Sequence, residues 1–331
     1  MNQILVILLL SYIVLMNDNY SNKDLNVLNK IIILNPDIKT KNPLQLGAQS
    51  WSNGRLVYLD ISAEGLSVLP KRFGSLSELE YLNLSLNRFK QLPKSIGKLN
   101  NLTEFYCTDN KIIAIPKELY SLKKLEELYL SGNQIDSLEE GISSLYNLLI
   151  LRLDDNKIMK LPLDIVNLYN LEVLGLSNNL LEEIPLNIDK MISLSHFIIH
   201  SNKLSYLPEN LYKLKGLKVL SIEKNSIKDI SESIGLIDSL TSINLSANNL
   251  KSLPSNISNL QHLKNLTVFA NDINYLPESL CDLPSFTSIK VSSNNLCEKY
   301  QYECLDVFYP QNQSNCCLGS NGILKWENCS K

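Results

Sequence analysis

From Leu56 onward the apolar residues recur with a period of 23, in units that begin at Leu56, Leu79, Leu102, Leu125, Leu148, Leu171, Leu194, Leu217, Leu240, Leu263 and Phe286. The unit that starts at Leu79, LEYLNLSLNRFKQLPKSIGKLNN, has apolar residues at positions 1, 4, 6, 11, 14, 18 and 21 and an asparagine at position 9. Positions 4 and 6 alternate with polar neighbours, which predicts a short, half-buried strand. Further along the unit the apolar residues fall three or four apart, as at Leu92, Ile96 and Leu99. That spacing predicts a helical or 3-10 turn. One such coil cannot bury its own leucines, but stacked coils bury each other's. The pattern therefore predicts an α/β solenoid of eleven 23-residue coils, with a parallel sheet along one side and helical or 3-10 turns along the other.

Position 9 carries Asn87, Asn110, Asn133, Asn156, Asn179, Asn202, Asn225, Asn248, Asn271 and Asn294, with Glu64 in the first coil. A carboxamide both donates and accepts, so a buried column of them can satisfy the backbone where each coil leaves the sheet. A structural role is expected for all ten.

Eleven registered copies of this unit, over about 250 of 331 residues, resemble the leucine-rich repeat family. The Leu-Pro pairs at Leu69-Pro70, Leu92-Pro93 and Leu161-Pro162 resemble the variant of Ras-group and many bacterial repeat proteins. The resemblance implies a horseshoe with a concave parallel sheet that recognises another macromolecule. The run LQLGAQSWSNGRLVYLDIS before the repeats and the cysteine-bearing tail after them are similar to the ends of secreted bacterial members.

Four segments follow. Residues 1–16 contain an apolar run from Ile4 to Met16, expected to be a signal peptide or anchor. Residues 17–55 form an N-terminal cap, in which Leu25, Leu28, Ile31 and Ile32 have helical spacing after a capping Ser21 or Asn22. Residues 56–308 are the repeats. Residues 309–331 are a C-terminal cap whose chemistry begins near Cys297. Six cysteines (Cys281, Cys297, Cys304, Cys316, Cys317 and Cys329) cluster late in the chain. Behind an export-like leader they are candidates for disulfides, whereas a zinc site lacks the usual C-x-x-C pair.

Candidate chemistry lies at positions 3, 5, 7 and 8, which the core leaves unconstrained on the concave face. The early coils place Tyr58, Asp60, Tyr81, Glu104, Tyr106, Asp109, Glu127 and Tyr129 there, and the fifth adds Arg152, Asp154 and Asp155. Tyrosines among carboxylates suit a protein patch with basic groups, or a hydroxyl-rich glycan. His196 and His200 also face this side. Strand geometry puts them about 13 Å apart, too far to share an ion, so no metal is expected. Gly132 and Gly175 read as isolated residues of the strand face.

With 31 basic and 34 acidic residues, the net charge of −3 supplies no general field for nucleic acid, and none is expected as a partner. Membrane contact is expected only through the N-terminal apolar run. No nucleophile elbow, phosphate loop or dinucleotide fingerprint occurs in its proper context, so neither catalysis nor a cofactor is expected. The sequence thus points to non-catalytic protein or glycan recognition by a secreted, cell-surface or periplasmic protein. Two alternatives stand beside it: an intracellular scaffold or signalling adaptor in the cytoplasm, and an inhibitor or regulatory subunit of an enzyme.

Overall fold

The computed structural model describes residues 20–297, 300–312, 317–318 and 324–325. The apolar run Ile4–Met16 and Cys316 and Cys329 lie outside these residues. The chain divides into two units, Met1–Leu125 and Glu126–Lys331, each described in turn.

The first unit opens with helix α1 (Asn22–Leu34), which buries Val27, Leu28, Ile31 and Ile32. Ser21 is its N-cap residue, yet its side chain caps nothing. Asp24, in the first turn, is a fully buried carboxylate that reaches out of the helix. It accepts from Arg55 Nε at 2.8 Å and Nη2 at 3.1 Å, and from the backbone N–H of Leu56 at 3.0 Å. At the other end of α1, the buried Asn35 donates to Ile31 O and Val68 O and accepts from the N–H groups of Ser67 and Val68. These two polar residues tie the helix to the first coil.

Strands β1 (Ala48–Ser52) and β2 (Arg55–Asp60) form an antiparallel hairpin. Its turn residues Asn53 and Gly54 have φ of 49° and 74°, as a tight two-residue turn requires. Parallel pairing follows, to β3 (Tyr81–Asn83) and β4 (Glu104–Tyr106), with Leu59, Leu82 and Phe105 in register and fully buried. On the opposite side the chain returns through 3-10 turns at Phe73–Ser75, Lys94–Lys98 and Lys117–Ser121.

The second unit repeats this plan. Strands β5 (Glu127–Tyr129), β6 (Ile150–Arg152), β7 (Val173–Gly175), β8 (His196–Ile198), β9 (Val219–Ser221), β10 (Ser242–Asn244), β11 (Asn265–Thr267) and β12 (Ser288–Lys290) pair in chain order, all parallel. A 3-10 turn follows each strand from β5 to β11. Position 1 is buried from Leu125 to Leu263, but Phe286 is 63% exposed and Thr287 is buried in its stead. The eleventh unit therefore departs from the expected apolar register, because the tail rather than another coil packs against it.

Asn156 shows how an asparagine joins coils. Its Oδ1 accepts from Ile135 N–H in the coil before, while Nδ2 donates to Leu130 O there and to Leu153 O and Asp154 O in its own coil. The same set recurs at Asn179, Asn248, Asn271 and Asn294. Asn202 and Asn225 repeat it half-buried. In the first unit Asn87 and Asn110 serve Leu66 and Phe89 in this way. Asn133 donates to Leu130 O and Ser131 O.

At the end of the second unit, residues 306–311 take up backbone groups that a further coil would have met. Asp306 accepts from Ile289 N–H, and Val291 N–H donates to Val307 O. Gln311 accepts from Asn294 N–H and donates to Val291 O. Cys281 and Cys304 form a disulfide across this junction, and the buried Cys297 is disulfide-bonded as well. A short antiparallel pair, β13 (Cys317–Leu318) and β14 (Leu324–Lys325), follows.

Candidate partner-binding face

Position 8 is where the chain leaves the sheet. From Ala63 to Ser293 its φ lies between 51° and 68° in every coil, the left-handed region. Asp109 and Asp155 stand there, exposed, at the margin of the sheet face. Gly132 does too, so it is a turn glycine and not a strand-face residue as its neighbours in sequence suggest. Position 7 is also less open than the sequence implies, since Ser85, Asp154, Ser177 and Ser246 are all buried. Positions 3 and 5 remain as the principal open positions.

In the first unit those positions gather aromatic rings. Tyr58 and Tyr81 stack with centroids 4.3 Å apart, and Tyr81 meets Tyr106 at 5.3 Å. All three are half-buried, presenting ring faces on a rigid strand array. Burial, then the neighbouring Tyr58 and the carboxylates Asp60 and Glu104, push the Tyr81 phenol up to about 12. The hydroxyl stays protonated at neutral pH. Tyr106 donates its hydroxyl to Glu104 Oε2 at 3.1 Å, while Asp60 accepts from Asn83 Nδ2 at 3.0 Å and from Ser62 N–H at 2.9 Å. Glu104 thus fixes one end of the stripe, and the two carboxylates colour it negative.

In the second unit, Glu127 and Tyr129 occupy positions 3 and 5 of β5, both half-buried. Arg152 on β6 bonds Asp154 Oδ2 through Nε at 2.8 Å, and Asp154 Oδ1 accepts from Ser177 N–H at 2.9 Å. Asp154 is therefore committed to the fold, a correction to its reading as an open contact residue. The space for this pair comes from Gly175, where a Cβ would fall 2.6 Å from Asp154 Oδ2 and 2.7 Å from Arg152 Nε. Asp155 accepts from Asn178 Nδ2 at 2.9 Å. His196 and His200 are half-buried, each sharing a hydrogen bond through Nδ1 with a neighbouring serine, Ser195 and Ser201. Among the described residues no cluster of three or more His, Cys, Asp or Glu could hold a metal ion. Nor is any helix there long and apolar enough to cross a membrane.

Parallel three-residue strands, an asparagine column and side chains projecting from positions 3 and 5 define a repeat-built scaffold of a class typically used to bind other proteins. The chain carries leucine-rich repeats: family models for leucine-rich repeats match residues 54–112, 100–144 and 239–260. A comparison with curated protein sequences gives no match. Among solved structures, a leucine-rich repeat protein of Leptospira interrogans is 28% identical, with a TM-score of 0.72 over 85% of this chain and 80% of that one. An internalin of Listeria monocytogenes is 22% identical over 84% of each chain, with a TM-score of 0.61, a likeness of fold alone. A plant peptide hormone receptor, solved with its peptide, is 27% identical over 72% of this chain and 44% of that one, with a TM-score of 0.63.

Proposed function

We propose that this protein is an exported or surface-attached, non-catalytic recognition protein that binds a partner protein through the open face of its sheet. The observation that carries this reading is the continuous Tyr58–Tyr81–Tyr106 stripe, because aromatic side chains held rigid before binding lose little entropy on contact. The carboxylates Asp60 and Glu104 beside it favour a partner segment bearing Lys or Arg, whose cations meet both the ring faces and the negative field. The plant receptor solved with a peptide supports the choice of a protein or peptide ligand over a glycan. Export is supported by the apolar run Ile4–Met16 and by the disulfide Cys281–Cys304, since such bonds persist in oxidising compartments.

The test is pull-down of surface or secreted proteins from the native host, followed by titration of the captured partner against Tyr81→Ala/Tyr106→Ala. The double variant is expected to bind at least tenfold more weakly while a thermal melt shows the fold retained, as loss of about 1.4 kcal/mol or more from central aromatic contacts requires. Unchanged affinity would place recognition elsewhere, and capture of a glycan alone would overturn the protein reading.

A further inference from the structure

On the side of the first unit away from the sheet, a groove of about 730 Å³ runs between α1 and the segment Val68–Ser75 of the first coil. Val27, Leu34, Val68, Leu69 and Pro70 line it. Val68 is 45% exposed, although an apolar side chain beside a packed helix is ordinarily covered. The charged lining is of one sign. Lys23 and Lys30 come from the α1 wall, seven residues apart and so on the same side of the helix, while Lys71 and Arg72 come from the opposite wall. No carboxylate lines the groove, and among the described residues none of these four cations makes an ion pair. Asp24, on the same helix, is turned inward and spent on Arg55.

We infer that this groove is a binding site for a single-chain anionic amphiphile, a phosphate or carboxylate head on an alkyl tail. Four cations facing one another without a counter-charge repel, and an anionic head between the two walls relieves that repulsion through charge-assisted hydrogen bonds. The apolar strip then offers the tail a surface removed from water, and the volume is in the range that holds a small ligand. Neither part explains the other alone. A polyanion has no use for the exposed Val68 beside the half-buried Leu34, and a neutral hydrocarbon has no use for four unneutralised cations. The site shares no residue with the tyrosine stripe, so it stands or falls apart from the partner-binding reading.

The experiment is calorimetric titration of the full chain with dodecyl phosphate below its micellar concentration. Saturable binding is expected, at least tenfold tighter than that of dodecyltrimethylammonium, which has the same tail and opposite charge, and than that of inorganic phosphate. Lys30→Glu with Lys71→Glu is expected to weaken it tenfold or more, and so is Val68→Glu. All three positions are surface-accessible, so a thermal melt will show the fold retained; Lys71→Arg keeps the affinity, and Tyr81→Ala/Tyr106→Ala leaves it unchanged. Absence of saturable binding, equal binding of the cationic amphiphile, or affinity untouched by the charge reversals would overturn the site. Loss on charge reversal with full retention in Val68→Glu, or equal binding of inorganic phosphate, would reduce it to a bare anion patch and overturn the amphiphile.

Discussion

At the scale of the residue, the most demanding place in each coil is position 8, where φ is positive whatever the side chain. A left-handed backbone costs an ordinary L-residue about 1–2 kcal/mol, whereas Gly and Asn adopt it at little penalty. Gly132 and Asn178 meet that demand, but Leu86, with φ of 58° and a side chain 58% exposed, meets it badly on both counts. Leu86→Asn is therefore expected to stabilise the fold by about 0.5–1 kcal/mol, read as a higher urea midpoint at unchanged slope. A loss of stability would mean that the leucine makes a contact worth more than the strain. This feature was not legible in the sequence. Ala, Leu, Asp, Gly, Ser, Lys and Asn all occupy the position, because the stacked coils impose the conformation through backbone bonds such as Leu86 N–H to Thr108 O. The asparagine column was legible for the opposite reason: its four bonds need a carboxamide and nothing else satisfies them.

At the scale of the element, the strands and back turns follow from the 23-residue period, and the repeat class with them. The ends do not, because each is built once. Nothing in the spacing of Asp24 or Asn35 announces that these polar residues would be buried as the ties between α1 and the first coil. Likewise the hairpin β1–β2 terminates the sheet with an antiparallel strand where repetition alone predicts none. On the candidate face, the tyrosines could be placed by register, but Gly175 and Asp154 could not. Their meaning depends on Arg152 lying across the neighbouring strand, a contact made between coils. The far end yields a test. In a solenoid each coil leans on its neighbours, so a local staple protects its own end first. Opening the loop of 23 residues closed by Cys281–Cys304, with Cys281→Ser and Cys304→Ser, is expected to cost up to about 3 kcal/mol. Hydrogen exchange should rise at β11, β12 and residues 305–311 while β6 and β7 stay protected. A uniform rise across the second unit would show that it unfolds as one block and that the end is not a separate cap.

At the scale of the whole molecule, the contrast among the cysteines bears on where the protein works. Cys107 lies in the core of the first unit as a thiol, and burial pushes its pKa above the ordinary range, so it is inert as a nucleophile. Cys281, Cys297 and Cys304 are already bonded in the second unit, and the remaining three cysteines follow within a short stretch of chain. An oxidising compartment would leave Cys107 as the one titratable thiol, hidden until the fold is lost. Protein taken from its host under non-reducing conditions is therefore expected to react with no thiol reagent when native and with one equivalent in denaturant, and to begin beyond the apolar run Ile4–Met16. Six or seven reactive thiols on a chain that keeps that run would instead fit an intracellular adaptor. The leucine core and the tyrosine stripe are indifferent to that choice; the disulfides are not, since a reducing cytosol would remove the staple that holds the last coil to its tail.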